Sequence, residues 1–91
     1  MLTAIIVDDE MDCCESLVIL LERYCSEVKV LDICYSAETA LQSLKEHAPQ
    51  ILFLDIEMPF MNGFELLEKL GNFNFELIFT TSYNQYAIKA I

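Results

Sequence analysis

The stretch Ile51-Leu52-Phe53-Leu54-Asp55, near the middle of the 91-residue chain, is the part of the sequence that decides the fold. Four apolar residues followed at once by a carboxylate are typical of a parallel strand that is buried on both faces and ends at the edge of its sheet. A second apolar run, residues 2–7, ends in the same way at Asp8, Asp9 and Glu10. Because parallel strands bring their carboxyl ends to one edge, we expect the two groups of acids to lie side by side.

Strands and helices alternate along the rest of the chain. Apolar residues recur at steps of three and four over residues 11–25 and again after Ser36, which indicates amphipathic helices. Residues 28–34 are rich in β-branched side chains, and the charges of Lys29 and Asp32 favour an edge position for this strand. The predicted strands are residues 2–7, 28–34, 50–55 and 75–81, and the predicted helices are residues 11–25, 37–48, 63–70 and a last one that begins near Asn84.

This alternation predicts an α/β protein in which a parallel sheet carries helices on both faces. One domain, residues 1–91, is the most that the length allows. The hydrophobic content of 55% excludes a disordered chain. The formal charge of −10 opposes direct binding of nucleic acid or of an anionic membrane, since those partners are held by clusters of lysine and arginine.

The cysteines and the apolar runs indicate the compartment. Cys13, Cys14, Cys25 and Cys34 lie within apolar periodic segments without C-x-x-C spacing, so we expect four buried, reduced thiols. The first apolar run lasts six residues and lacks the basic region that precedes the core of a secretory leader. No run is long enough for a membrane span. We therefore expect a cytoplasmic protein.

Four oxygen-bearing side chains, those of Asp8, Asp9, Asp55 and Thr81, stand at the ends of predicted strands. In open parallel sheets the ligand site lies beyond the carboxyl ends of the strands. Three carboxylates held close together repel one another and raise one another's pKa unless a cation joins them. Mg²⁺ suits that role, because it takes oxygen ligands and keeps waters that a phosphate can replace. The sequence therefore predicts a site for Mg²⁺ and a phosphate.

Three motifs at these strand ends resemble the receiver domain of bacterial two-component response regulators. They are Val7-Asp8-Asp9-Glu10, Leu54 to Pro59 with Gly63 eight residues after Asp55, and Phe79-Thr80-Thr81-Ser82. The resemblance covers the entire chain and implies a flavodoxin-like fold, a three-layer arrangement whose parallel sheet has the strand order 2-1-3-4-5. It also implies that the chain stops before strand 5 and helix 5 of that fold.

The resemblance assigns a role to each site residue. It implies that Asp55 accepts a phosphoryl group from a sensor histidine kinase and forms an acyl phosphate. It implies that Asp9 binds Mg²⁺ directly, Asp8 mainly through water, and that Asp55 and the backbone carbonyl of Glu57 complete the metal site. The hydroxyl of Thr81 would turn toward the new phosphate and so link the chemistry to a change of shape. Self-phosphorylation and dephosphorylation at Asp55 would be the only reactions, so the chain would not be an enzyme.

The loop after Asp55 carries two turn residues and two apolar residues. Pro59 sets a rigid turn, and Gly63 permits a backbone shape that a β-carbon would obstruct. Both suit a loop that must hold a carbonyl toward a metal, although ordinary turn roles explain them equally well. We expect Met58 and Phe60 to pack within the loop.

Residues 79–90 resemble in particular the receivers that precede LytTR-type DNA-binding domains, which implies transcriptional output through a domain outside this segment. His47, at a helix end, is interpreted as a solvated cap and not as a phosphorelay histidine. Without a fifth strand, the fourth would be an exposed edge and the first helix would lack a cover. We therefore expect an isolated 91-residue chain to form homodimers, exchange elements or aggregate.

Two other functions remain open. One is a receiver-like module for interaction or dimerisation that no longer switches. The other is a small phosphatase or hydrolase that uses the same acids. The second is disfavoured because the sequence offers no further general acid at a strand end and no glycine-rich phosphate loop.

Overall fold

Four parallel strands form one sheet in residues 1–80, the part of the chain that the structure, a computed structural model, describes. The strand order is β2-β1-β3-β4, and every neighbouring pair is parallel. The elements are β1 (Leu2–Val7), α1 (Met11–Tyr24), β2 (Val28–Cys34), α2 (Ala37–His47), β3 (Ile51–Leu54), α3 (Gly63–Leu70) and β4 (Glu76–Phe79). The predicted alternation of strands and helices is thus confirmed over these residues, and so is the edge position of β2.

Several predicted boundaries are wrong by one or two residues. Helix α1 ends at Tyr24 and not at residue 25, and β3 covers Ile51–Leu54 and not 50–55. Helix α2 ends at His47, because Ala48 adopts a left-handed conformation with φ 43° and caps the helix through its N–H to the carbonyl of Leu44. Ala48 precedes Pro49, whose ring disfavours the right-handed helical region for the residue before it. Strand β4 covers Glu76–Phe79, which is shorter than the predicted 75–81. The predicted helix near residue 84 and the hydroxyl of Thr81 lie outside the described residues.

The apolar side chains divide into two layers, one on each face of the sheet. Ile5 and Val7 of β1 point to the face covered by α2 and α3, whereas Ala4 and Ile6 point to the face covered by α1. Strand β3 alternates in the same way, with Leu52 and Leu54 on one face and Ile51 and Phe53 on the other. Burial on both faces explains why these two central strands are continuous apolar runs.

The helices are short, and none within residues 1–80 has the length and apolar character needed to cross a membrane. All four cysteines are free thiols. Cys14 and Cys34 are buried as expected, but Cys13 is exposed on the first turn of α1, so the prediction of uniformly buried thiols is wrong there.

Candidate functional site

Three carboxylates meet at the carboxyl edge of the sheet. Asp8 and Asp9 follow β1, and Asp55 follows β3, which is the neighbouring strand. One carboxylate oxygen from each residue lies within 4.8 Å of the others. Asp8 is only 6% exposed and Asp55 only 9% exposed, while Asp9 is more accessible. The two predicted groups of acids therefore do lie together.

The backbone ladder of the sheet brings these acids into register. Val7 pairs with Leu54, the last residues of β1 and β3. The N–H of Asp55 donates to the carbonyl of Val7 at 2.9 Å, and the N–H of Asp8 donates to the carbonyl of Cys34 at 3.0 Å. Both acids thus continue the hydrogen-bonding pattern of their strands.

Local hydrogen bonds orient the two buried carboxylates. The N–H of Glu10 donates to Oδ1 of Asp8 at 2.9 Å, and the N–H of Glu57 donates to Oδ1 of Asp55 at 3.4 Å. In each case the donor lies two residues after the acid, which is the pattern of an Asx turn. The side chains of Asp8 and Asp55 also interact with each other.

Burial and repulsion by neighbouring acids disfavour the ionised forms of Asp8 and Asp55. Burial, followed by the charge of Asp8, raises the pKa of Asp55 from 3.8 to about 6. Burial also raises the pKa of Asp8, with the charges of Asp9 and Glu10 acting in the same direction. A divalent cation among the three oxygens would remove this repulsion. A set of carboxylate oxygens at an open sheet edge fits Mg²⁺, a hard cation that prefers oxygen ligands.

Gly63 lets helix α3 approach the backbone of Asp55 closely. A β-carbon at this position would lie 2.8 Å from the carbonyl oxygen of Asp55 and 3.0 Å from the α-carbon of Ile56. The N–H of Gly63 donates to the carbonyl of Ile56 at 2.9 Å, which closes the connection between β3 and α3. Space, and not an unusual φ, therefore requires glycine here.

The same connection is held at the start of α3 by a capping box. The side chain of Asn62 accepts from the N–H of Glu65 at 2.9 Å, and the Glu65 carboxylate accepts from the N–H of Asn62 at 3.0 Å. Such reciprocal bonds satisfy two backbone donors that the helix itself leaves free. The loop beside the acids is thus anchored at both ends.

The apolar loop residues differ in their exposure. Met58 is buried, 8% exposed, and belongs to the core between the sheet and the α2 and α3 helices. Phe60 is 97% exposed and has φ 70°. The expectation that Phe60 packs within the loop is wrong, because only the residues on either side of Pro59 and Phe60 turn inward.

Three residues near the acids were not predicted from the sequence to belong to the site. The thiol of Cys14 donates to the carbonyl oxygen of Asp8 at 3.5 Å, and the pKa of Cys14 is raised to about 11, chiefly by burial. Cys13 and Thr80 line a cavity of about 340 Å³ beside Asp8. The Thr80 hydroxyl is buried and has no hydrogen-bond partner among the described residues. The alternation along β4 could have shown that Thr80 faces α1.

Comparison with known proteins places the chain in one family. The family model described as the response regulator receiver domain matches residues 4–91. The chain is 41% identical over 93 residues to the sensory transduction protein LytT of Bacillus anthracis, covering 99% of this chain and 37% of LytT. It is 35% identical over 91 residues to an uncharacterised response regulatory protein of Shewanella oneidensis, covering 99% of this chain and 38% of that protein. The chain thus spans less than two fifths of these relatives.

Solved structures agree with this fold. The N-terminal domain of an uncharacterised protein from Wolinella succinogenes superposes with a TM-score of 0.77 at 29% identity, over 99% of this chain and 73% of that one. A LuxR-family DNA-binding response regulator from Staphylococcus aureus gives a TM-score of 0.82 at 26% identity, over 99% of this chain and 78% of that one.

Proposed function

The chain belongs to the response regulator receiver domain family, and we propose on this premise that Asp55 is the residue that takes a phosphoryl group from a sensor histidine kinase. One observation carries the assignment to Asp55. Its carboxylate is nearly buried at the end of a central strand, within 4.8 Å of two further carboxylates on the neighbouring strand. No other acid in residues 1–80 belongs to such a cluster.

The reaction is a transfer between two covalent carriers. An ionised Asp55 oxygen attacks the phosphorus of the phosphohistidine, a P–O bond forms, and the P–N bond breaks with its electron pair returning to the imidazole nitrogen. The product on this chain is an acyl phosphate. Asp55 must be ionised and in line with the breaking bond, and its Glu57 N–H contact and its strand position fix its direction.

We propose that Asp9, Asp8, Asp55 and the carbonyl of Glu57 hold Mg²⁺. Bound there, Mg²⁺ neutralises charge on the phosphoryl oxygens and on the clustered acids. Asp9 is the most accessible acid of the three, which suits direct ligation, whereas Asp8 already accepts from Glu10 and suits contact through water. The hydroxyl of Thr81 is proposed to meet the phosphate.

The wider assignments rest on the family and on relatives that are much longer than this chain. We propose that residues 1–91 act as the receiver of a cytoplasmic protein whose output is transcription through a LytTR-type domain. We also propose that the chain has no catalytic activity beyond its own phosphorylation and dephosphorylation. DNA contact would come from the output domain, no membrane partner is proposed, and a homodimer remains a prediction.

The test uses a small phosphodonor. Incubation with acetyl phosphate and Mg²⁺, followed by intact mass spectrometry, should show the mass of one added phosphoryl group. Asp55→Asn should remove the adduct, and so should chelation of Mg²⁺. The matched control is Asp12→Asn, since Asp12 is an exposed acid of the first turn of α1 outside the cluster. Persistent absence of the adduct on the wild-type chain would contradict the proposal.

A further inference from the structure

Phe60 combines two unfavourable features at one position. Its side chain is 97% exposed, more than any other large apolar side chain in the described part of the chain. Its φ of 70° lies in the left-handed region, which a residue with a β-carbon rarely occupies. An exposed ring and a strained backbone do not stabilise the folded chain. Residues with such strained backbone conformations cluster at functional sites.

The surrounding loop holds Phe60 outward. Met58 is buried before it, and Met61 packs against the core after it. The N–H of Met61 donates to the carbonyl of Pro59 at 2.8 Å, and Gly63 closes the loop on Ile56 at 2.9 Å. The aromatic ring therefore stands at the tip of a compact loop with defined ends, and it is displayed to solvent.

The position of this loop matters because a protein donor must reach Asp55. Phe60 follows Asp55 by five residues, so their α-carbons are at most about 18 Å apart even for a fully extended chain. The loop folds back on itself, so the real separation is smaller. A standard protein interface covers about 800 Å² on each partner, which corresponds to a disc of roughly 16 Å radius. Phe60 thus falls within a footprint centred on Asp55.

We propose that Phe60 is an anchor residue for the protein that delivers the phosphoryl group, its ring filling an apolar depression beside the donor's phosphohistidine. The inference rests on the proposed function. Exposed aromatic side chains are frequent hot spots of protein interfaces, because they bury a large area with few rotatable bonds. Phe60 has no role in the bond changes at Asp55 and positions the donor protein only.

The experiment compares two donors on the same variants. One donor is acetyl phosphate, and the other is the histidine kinase that phosphorylates the wild-type chain fastest among the purified kinases of its own organism. Phe60→Asn and Phe60→Gly should lower kcat/KM with the kinase by about tenfold or more, mainly through KM, and leave the acetyl phosphate rate unchanged. Phe60→Tyr, which keeps the ring, should retain the kinase rate.

A matched control removes a different exposed aromatic ring. Tyr24 is 72% exposed at the end of α1, and Tyr24→Asn should leave both donor rates unchanged. Phe60→Gly should also raise the melting temperature by roughly 2 to 5 °C, because it relieves the left-handed backbone.

Three results would overturn the proposal. They are an unchanged kinase rate in Phe60→Asn, an equal loss of rate with both donors, and a lower melting temperature of Phe60→Gly, which would show a structural role for the ring. If one of these results is obtained while acetyl phosphate still labels Asp55, the Phe60 proposal is wrong and the proposed function stands. Failure of both donors to label the wild-type chain would overturn the proposed function and this proposal with it.

Discussion

The phosphoryl acceptance proposed for Asp55 requires an ionised carboxylate, yet the environment of this side chain favours the protonated acid. Burial is the main cause, and Asp8 and Asp9 add repulsion. Folding therefore favours the protonated form of Asp55, whereas the proposed reaction needs its ionised form. A cation bound at the cluster would favour the ionised form of Asp55 and would supply the charge that the proposed phosphoryl transfer needs.

The first prediction concerns the pH dependence of stability. The pKa of Asp55 rises from its ordinary value of 3.8 to about 6 in the folded chain, so folding favours the protonated acid. The contribution of the protonated acid to stability is complete below pH 3.8 and is lost as the pH rises through about 6. In buffer without divalent cations, Asp55→Asn should stabilise the chain at neutral pH by on the order of 2 kcal/mol and lose this advantage in acid. Urea unfolding across that range measures it, and an advantage independent of pH would contradict it.

The second prediction compares two glycines. Gly63→Ala should lower the free energy of unfolding by about 2 kcal/mol and slow acetyl phosphate labelling, because the new β-carbon displaces the Asp55 backbone. Gly71→Ala should cost about 1 kcal/mol through its φ of 71°, with open space around it, and leave labelling unchanged. Equal labelling rates of the two variants would show that the Gly63 contact does not position Asp55.

At the scale of elements, the helix starts differ in how they are capped. Helix α2 is capped by the preceding Ser36, whose hydroxyl accepts from the N–H of Thr39 at 3.2 Å, and α3 is capped by the capping box of the preceding Asn62. Helix α1 is preceded by Glu10, whose side chain makes no cap hydrogen bond within the described residues. The backbone N–H of Glu10 donates to the Asp8 carboxylate instead, so this segment orients a site residue and leaves α1 without a side-chain cap.

The third prediction compares two cap variants that should lower stability equally but should differ in their effect on the geometry of the site. Ser36→Ala and Asn62→Ala should each cost about 1 kcal/mol. Only Asn62→Ala should also slow phosphorylation of Asp55, because its cap holds the loop that carries Glu57. Urea unfolding and acetyl phosphate labelling of both variants provide the measurements. A slower reaction of Ser36→Ala at equal stability would contradict this division.

Much of the fold and of the site could be predicted because the strands end abruptly in acids. Parallel strands bring Asp8 and Asp55 to one edge of the sheet, and the strand order implied by the family resemblance makes β1 and β3 neighbours there. The sequence indicated that Gly63 has a role in the backbone of the loop. The reason, its close approach to the Asp55 carbonyl, depends on a contact between elements that only the structure shows. The outward direction of the Phe60 side chain was not predicted. Its apolar character suggested burial, and only the geometry of the loop shows that the ring faces solvent.

At the scale of the whole molecule, a formal charge of −10 includes three acids drawn to one edge of the sheet. Repulsion among them opposes folding, so a ligand that binds only the folded cluster should stabilise the chain as a whole. The effect should saturate with concentration, unlike general screening by salt.

The fourth prediction is that Mg²⁺ raises the melting temperature in a saturable way, by several degrees at concentrations well above its dissociation constant. Asp9→Asn should remove most of this effect, and Asp12→Asn should not. NaCl at equal ionic strength should fail to reproduce it. An equal response to NaCl would indicate screening in place of a bound cation.

The hydrogen bond from the Asp55 N–H to the Val7 carbonyl, 2.9 Å long, has a consequence for the order of folding. It joins segments 48 residues apart in the sequence, 55 − 7 = 48, so the carboxylate cluster cannot form before the two central strands have paired. Fraying of the outer strands can leave that pair intact. We expect the Asp55 amide to be among the slowest in the chain to exchange its hydrogen. The carboxylate cluster would then persist until the central pair of strands itself opens.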